Sequence, residues 1–350
     1  MSDNFYRAFE DLHRGQRNDI IRRLQVYLPF VFPVAQSHPQ AKSLDLGCGR
    51  GEWLQLLIEQ GLQAQGVDLD ADMLAAAQAL SLPVWQADAI QALEDVPDGS
   101  IAVLSAFHLV EHLPFESLQK LVTQAHRVLV PGGLLIMETP NPDNMQVATS
   151  NFYLDPSHIK PIPSQLLSFV AQHAGFARTK VLGLQESPAL RYQPQVQLQD
   201  VLAGASPDYA VIAQKTGAIS GGEQLDAAFE RDYGLSTADL AQTYAHQQVS
   251  TIRRLEMEIN GLRVEVKELT QVHKQSSEQI LAAQNRADQL AAQIHAIEKS
   301  ALFRLGRPLQ WMLDQYIKLR RHGLRTRLAA FARKVGWGKT NSDGSDRAPD

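Results

Sequence analysis

Between residue 42 and about residue 214, short apolar runs alternate with amphipathic stretches. Apolar runs bounded by turn residues read as buried strands, and longer stretches with a helical repeat read as the connections between them. The pattern predicts strands at 43–46, 64–69, 83–87, 101–106, 133–138, 179–184 and 209–213. Strands interleaved with helices in this way imply an α/β domain built on a mostly parallel sheet. It is assigned to residues 41–216.

On the N-terminal side, residues 1–40 carry Phe5, Phe9, Leu12, Ile20, Ile21, Leu24 and Leu28 at helical spacing. Gly15 should break or bend this segment, which reads as a helical lid or brace. Residues 217–235 begin with small residues and read as a linker. From 236 to 301 there is no proline and only one glycine, so a single long helix is expected. Along it Ile252, Ile259, Val266, Ile280 and Ile294 take the a positions of a heptad, and Leu255, Leu262, Leu269 and Leu290 take d, with lapses at His273 and Ser276. At about 1.5 Å per residue such a helix reaches roughly 100 Å, more than a domain needs to cover itself. A coiled coil is expected, and hence a homo-oligomer. β-Branched a positions with leucine at d favour two parallel strands, with a trimer as the other option.

Charge changes the picture at the C-terminal end. The whole chain of 350 residues has a formal charge of −5. Residues 302–339, however, hold ten Lys and Arg against one acid, Asp314, so everything before them is strongly acidic. Trp311, Met312, Tyr316, Ile317, Phe331 and Trp337 lie among those cations. Basic amphipathic helices of this kind suit an anionic bilayer surface or an acidic protein partner. Residues 340–350 read as a disordered tail. The acidic remainder argues against a nucleic-acid partner.

No apolar run approaches the roughly 20 residues that a membrane-spanning helix requires. The N-terminus lacks the basic start and apolar core of a secretory signal, and the single cysteine, Cys48, cannot form an internal disulfide. A cytoplasmic location is expected, peripheral on the inner face of the membrane if the basic segment meets lipid.

The segment 43–52 places Gly47, Gly49 and Gly51 alternately where a buried strand turns into a helix. Glycines there let the backbone adopt positive φ and approach a ligand closely. This is not the G-x-G-x-x-G of dinucleotide enzymes. Asp68 ends the next strand, where a carboxylate can accept from two ribose hydroxyls, and Asp88 ends the third, positioned for an adenine edge. With these companions, residues 42–214 resemble a class I S-adenosylmethionine-dependent methyltransferase. The resemblance implies that Asp45 and the loop of Gly47, Gly49 and Gly51 hold the methionine part of the cofactor, Asp68 the ribose, and Asp88 with Ala89 the adenine. Leu129-Val130-Pro131-Gly132-Gly133 is similar to the turn before the family's fifth strand.

Beside the expected methyl group stands Phe107-His108-Leu109-Val110-Glu111-His112. His108, Glu111 and His112 are spaced i, i+3 and i+4, so one helical turn would bring all three to one face. His158 lies in the insertion after the fifth strand, where the acceptor pocket is expected. His108, Glu111, His112 and His158 form a candidate set for a divalent metal, better suited to Mn, Fe, Co or Zn than to Mg. Such an ion could chelate a vicinal diol and lower the pKa of the attacking hydroxyl. The other reading is a metal-free site with His112 or His158 as general base, and His108 beside them. The spacing is similar to the Glu-x-x-Glu-His motif of metal-dependent small-RNA 2′-O-methyltransferases and ubiquinone-pathway O-methyltransferases, with His108 in place of the first glutamate.

A further resemblance rests on Phe5-Tyr6-Arg7-Ala8-Phe9-Glu10-Asp11, Arg14-Gly15-x-Arg17, Val26-Tyr27-Leu28-Pro29-Phe30, the segment 107–115, and Asn151-Phe152-Tyr153-Leu154-Asp155-Pro156-x-His158. These are similar to the methyltransferase part of bacterial O-antigen chain-terminating enzymes, which also carry a C-terminal coiled coil and a membrane- or polymerase-associating tail. The resemblance implies O-methylation of a terminal sugar hydroxyl on a lipid-linked polysaccharide, with a glycosyltransferase or polymerase as a further partner. Some members carry a kinase domain between methyltransferase and coil; no room for one exists here. Arg14 and Arg17 are candidates to bind the cofactor carboxylate or an anionic acceptor, with plain surface cations as the other reading. The alternatives are methylation of a small molecule, such as a quinone precursor or nucleotide sugar, and a scaffold that only binds the cofactor.

Overall fold

The computed structural model describes residues 15–299, 310–318, 320, 321 and 323. The chain divides into two units, Met1–Arg254 and Leu255–Asp350. In the first, seven strands form one sheet: β1 (Lys42–Leu46), β2 (Ala64–Asp68), β3 (Val84–Gln86), β4 (Ile101–Phe107), β5 (Leu129–Pro140), β6 (Arg178–Leu184) and β7 (Asp208–Gln214). Their order is β3-β2-β1-β4-β5-β7-β6. The first five run parallel, while β7 lies antiparallel between β5 and β6. The order reverses between β1 and β4, and a crevice at such a switch point, outside the carboxyl ends of the strands, is where this architecture binds ligands.

The sheet alternates its side chains between two apolar layers, as the pleat requires. Leu135 and Met137 of β5 and Val211 and Ala213 of β7 enter one layer with α5 (Ala89–Glu94), α6 (Phe115–Val128) and α8 (Ser164–His173). Leu134 and Ile136 of β5 and Ala210 and Ile212 of β7 enter the other. That second layer is completed by α1 (Arg17–Leu24), α2 (Leu28–Ser37), α3 (Glu52–Glu59) and α4 (Ala71–Ala79). Short helices α7 (Met145–Thr149) and α9 (Leu198–Ala203) lie in the excursions after β5 and β6.

Three expectations change. The segment expected to be a linker contains α10 (Gly222–Glu230), whose Leu225, Ala228 and Phe229 are buried. Spaced i, i+3 and i+4, they make one apolar stripe, and Phe229 packs edge-on to Phe30 of α2 at 5.4 Å. The N-terminal helical segment is not a lid over its length. α2 is part of the core, with Phe30, Val31 and Val34 fully buried. Residues 1–14 lie outside the described residues. Finally, the expected turn at 129–133 belongs to β5, whose register against β4 shifts between Ile101 and Val103.

The long helix, α11 (Thr237–Lys299), is continuous over 63 residues. Coil pairing is not part of a single chain. Of the basic segment, residues 310–318 are helical, and most of the rest of 302–350 lies outside the described residues. Among the described residues no helix is long and apolar enough to cross a membrane.

Candidate functional site

A cavity of about 1250 Å³ opens at the carboxyl ends of β1, β2 and β4. That volume exceeds what one small ligand fills, since such pockets are typically ~300–1000 Å³. One side is lined by Asp45, Gly47, Asp68, Asp88 and Ala89, the other by His108, His112, Glu138, His158 and Asp208.

The first side is shaped by the glycine loop. Gly47, Gly49 and Gly51 have φ of 69°, 51° and 77°, a region that side chains strain to occupy. A Cβ on Gly51 would come within 2.6 Å of the Leu82 side chain. Asp68 braces the loop, accepting from Gly49 N–H at 2.8 Å through Oδ2 and from Asp70 N–H at 2.9 Å through Oδ1. Asp45 is buried and accepts from Ser105 Oγ at 2.6 Å. Asp88 caps α5, its Oδ1 taking the N–H groups of Ile90 and Gln91. Arg17 stands elsewhere. It does not line the cavity; its guanidinium donates to Arg50 C=O at 2.8 Å and Gln55 Oε1 at 2.7 Å. It braces the glycine loop from outside, where the expectation placed it on a ligand. Gly49 and Gly51 also act through the loop's shape, being absent from the lining.

On the second side the three residues expected to share a helical face part company. His108 has φ +50°, so the chain leaves β4 without entering a helix, and only Val110–His112 forms a 3₁₀ turn. Two clusters result, joined at Glu111. In one, Glu111 meets His112 and His158, with candidate ligand atoms within 4.8 Å of one another. In the other, His108 lies between carboxylates, Nδ1 at 3.3 Å from Glu111 and Nε2 at 3.4 Å from Glu138. Burial opposes charge on His108, but its contacts with Glu111 and Glu138 outweigh that and hold its pKa well above the ordinary 6.5. His108 is thereby separated from His112 and His158, and the ligand atoms it could share lie with Glu138 and Asp208 instead, so the expected four-residue set does not form.

Glu111, His112 and His158 are set up differently. Glu111 Oε2 accepts from Thr139 Oγ1 at 2.9 Å, whereas the buried Oε1 lies 3.3 Å from His108 Nδ1. His158 Nδ1 is 2.6 Å from Phe152 C=O and must be its protonated nitrogen, leaving Nε2 bare at 4.0 Å from Glu111. Ser157 Oγ donates its one proton to Asp155 Oδ1 at 2.6 Å, so it accepts from His112 Nδ1 at 3.0 Å. His112 Nε2 is bare as well. Burial lowers the His112 pKa, outweighing the opposing carboxylates of Glu111 and Asp155, which favours the neutral ring. Two imidazoles with oriented lone pairs and a buried carboxylate oxygen fit a divalent ion, and outer partners of this kind are what fix ligand tautomers at metal sites.

Four residues of this side had not been singled out from sequence: Tyr27, Glu138, Gln185 and Asp208. Tyr27, fully buried, donates its hydroxyl to Glu138, and Gln185 Nε2 donates to the other oxygen at 3.1 Å. Asp208 starts β7 opposite Pro140 at the end of β5, which brings it beside Glu138. Burial, more than the neighbouring carboxylates, raises its pKa to about 7. Their common signal is position: each carboxylate sits where a strand meets the ligand edge of the sheet.

An open parallel sheet with a glycine loop after β1 and an acid after β2 defines an α/β enzyme that binds a nucleoside cofactor. A family profile described as a methyltransferase domain matches residues 13–181. A solved S-adenosylmethionine-dependent methyltransferase from Archaeoglobus fulgidus is 30% identical, with a TM-score of 0.54, over 60% of this chain and all of that one. A protein named as a probable S-adenosylmethionine-dependent methyltransferase of Mycolicibacterium smegmatis is 26% identical over 197 residues, 54% of this chain and 76% of its own length. A ubiquinone biosynthesis O-methyltransferase of Methylococcus capsulatus is 28% identical over 130 residues, 35% of this chain and 54% of its own length. The chain belongs to the S-adenosylmethionine-dependent methyltransferases, and its cofactor is S-adenosylmethionine.

Proposed function

We propose that this chain methylates a hydroxyl oxygen of a polyhydroxylated acceptor, namely the terminal sugar of a lipid-linked bacterial surface polysaccharide. The observation that carries the reading is the Glu111, His112 and His158 cluster, whose two imidazoles line the cavity beside the cofactor side. When bound, S-adenosylmethionine supplies an electrophilic methyl group. Asp45 and the Gly47 loop would hold its methionine part, Asp68 its ribose, and Asp88 with Ala89 its adenine. A hydroxyl is a weak nucleophile, so it must lose its proton as the new bond forms, and a bare imidazole nitrogen is suited to take it. His112 Nε2 and His158 Nε2 are the bare nitrogens in reach of the cavity. The same two atoms with Glu111 Oε1 would hold a divalent ion such as Mn, Fe, Co, Zn or Mg, which would supply Lewis acidity to a coordinated diol. The rest of the catalytic effect is alignment of acceptor oxygen and methyl group within the cavity.

The choice of a sugar rests on the resemblance of residues 107–115 and 151–158 to chain-terminating enzymes, together with the basic segment at 302–339, which suits an acceptor held at an anionic membrane surface. A second reading, a quinone-type small molecule, is favoured by the ubiquinone biosynthesis O-methyltransferases among the relatives, one of them 32% identical over 105 residues. Transfer from radiolabelled S-adenosylmethionine to synthetic oligosaccharides and to catechols separates the two. Label on a terminal sugar, lost in EDTA, restored by Mn²⁺ and absent in His112→Ala, supports the leading reading. Label on catechol alone overturns it.

A further inference from the structure

Among the described residues, the seam along α11 is exposed. From Ile252 to Ile297 its large aliphatic residues at a and d are between 47% and 61% exposed, too much apolar surface for a helix that works alone. Two like copies of the seam can pair in either direction, and the layers they form differ. In parallel register every residue meets its own copy. Ala283 would face Ala283 and Ala287 would face Ala287 of the second copy, separated by one Ile280 layer from those of His273 and Ser276. Of the five layers from His273 to Ala287, only Ile280 would bring large aliphatic groups together.

The antiparallel register gives a different set. With His273 level with Ser276 of the second copy, Leu269 faces Ile280, Val266 faces Ala283, and Leu262 faces Ala287. Farther out, Ile259 faces Leu290, Leu255 faces Ile294, and Ile252 faces Ile297. Each small residue now meets a large one, which is what filling a helical interface without voids demands. Every layer outside the centre gains at least one Leu, Ile or Val. The central layer sets an imidazole against a hydroxyl, a pair that can share a hydrogen bond, where the parallel alternative sets imidazole against imidazole.

Charge agrees with this register. In an antiparallel pair the g positions of the two helices flank one another, and Glu265 then lies beside Arg286. Neither has an opposite charge three or four residues away on its own helix, so each is left for a partner. The pair that the parallel register would use, Glu258 with Arg263, competes with Arg254 four residues before Glu258.

We propose that residues 252–297 join two copies of this chain as an antiparallel two-stranded coiled coil centred on the His273 and Ser276 layer. The partner is a second copy of the chain, and the direction departs from the parallel pairing that the a and d pattern of the first half suggests. The inference stands apart from the acceptor chemistry, because it uses no residue of the cavity.

The test uses the full chain. Light scattering should give twice the mass of the 38.8 kDa monomer. Under mild oxidation, Leu255→Cys alone should stay uncrosslinked, while the double variant Leu255→Cys with Ile294→Cys should run as a covalent dimer on a denaturing gel. Leu262→Cys with Ala287→Cys gives the same readout at a second pair of layers, should the first pair disturb folding. A monomeric or trimeric mass overturns the proposal. So does a disulfide dimer of Leu255→Cys alone, which reports a parallel pair. Wild type is the control, its one thiol, Cys48, being buried.

Discussion

His158 Nε2 faces the buried Glu111 Oε1 across 4.0 Å, and His108 Nδ1 stands 3.3 Å from the same oxygen. A cation between the His158 and Glu111 atoms would add to the charge compensation of the buried carboxylate. The partners behind them matter as much as the ligands. Ser157→Ala removes the acceptor that fixes the proton on His112 Nδ1 while leaving all three ligands in place. Loss of an outer partner typically costs ~10–100-fold in metal affinity. Calorimetric titration of Mn²⁺ or Zn²⁺ should show that loss in Ser157→Ala and no measurable binding in Glu111→Ala. Equal affinity in wild type and Ser157→Ala would remove the tautomer argument.

Asp68 shapes the cofactor loop before it touches any ligand. Its two oxygens already hold Gly49 N–H and Asp70 N–H. Asp68→Ala therefore loosens the loop as well as removing a ribose partner. Hydrogen bonds to charged groups contribute about 1.5–3 kcal/mol each. S-Adenosylmethionine should bind at least about 10-fold more weakly by calorimetry, consistent with the loss of one such bond. Unchanged affinity would mean that the carboxylate serves the loop alone.

How much of this was legible beforehand depends on the range over which each feature is encoded. The strands were visible because each carries a local apolar run, buried in β1, β4, β5 and β7, and the acids at the ends of β2 and β3 because they follow those runs directly. The split between His108 and His112 was not visible. It turns on a single positive φ at His108, and helical spacing assumes the opposite. Glu138, Tyr27 and Asp208 left no local pattern, since the Tyr27 and Glu138 side chains meet across 111 residues of sequence. α10 was hidden by the small residues before it, although the Leu225, Ala228 and Phe229 stripe was there to read.

Phe229 offers a direct check on that helix. It packs on Phe30, and the Arg178 guanidinium lies over its ring at 4.0 Å. Truncating a buried phenylalanine costs about 3–5 kcal/mol. Phe229→Ala should lower the urea-unfolding free energy by about that amount. A change below about 1 kcal/mol, within the range of ordinary surface substitutions, would return the segment to the status of a linker.

Asp208 makes the folded protein sensitive to pH in a definite direction. Burial first, and neighbouring carboxylates after it, raise its pKa from 3.8 to about 7 in the folded state. Between those values the folded state keeps a proton that the unfolded chain has released. Stability from this group is therefore fully present below about pH 4, declines as pH rises, and is lost once pH passes about 7. Asp208→Asn carries no such titration. Its melting temperature relative to wild type should consequently be higher at pH 8 than at pH 5, whatever the offset between the two proteins at either pH. Differential scanning calorimetry of both at the two pH values reads the difference. A constant offset would mean that Asp208 ionises in the folded protein as it does in the unfolded chain, with Glu138 and His108 leaving its charge unopposed.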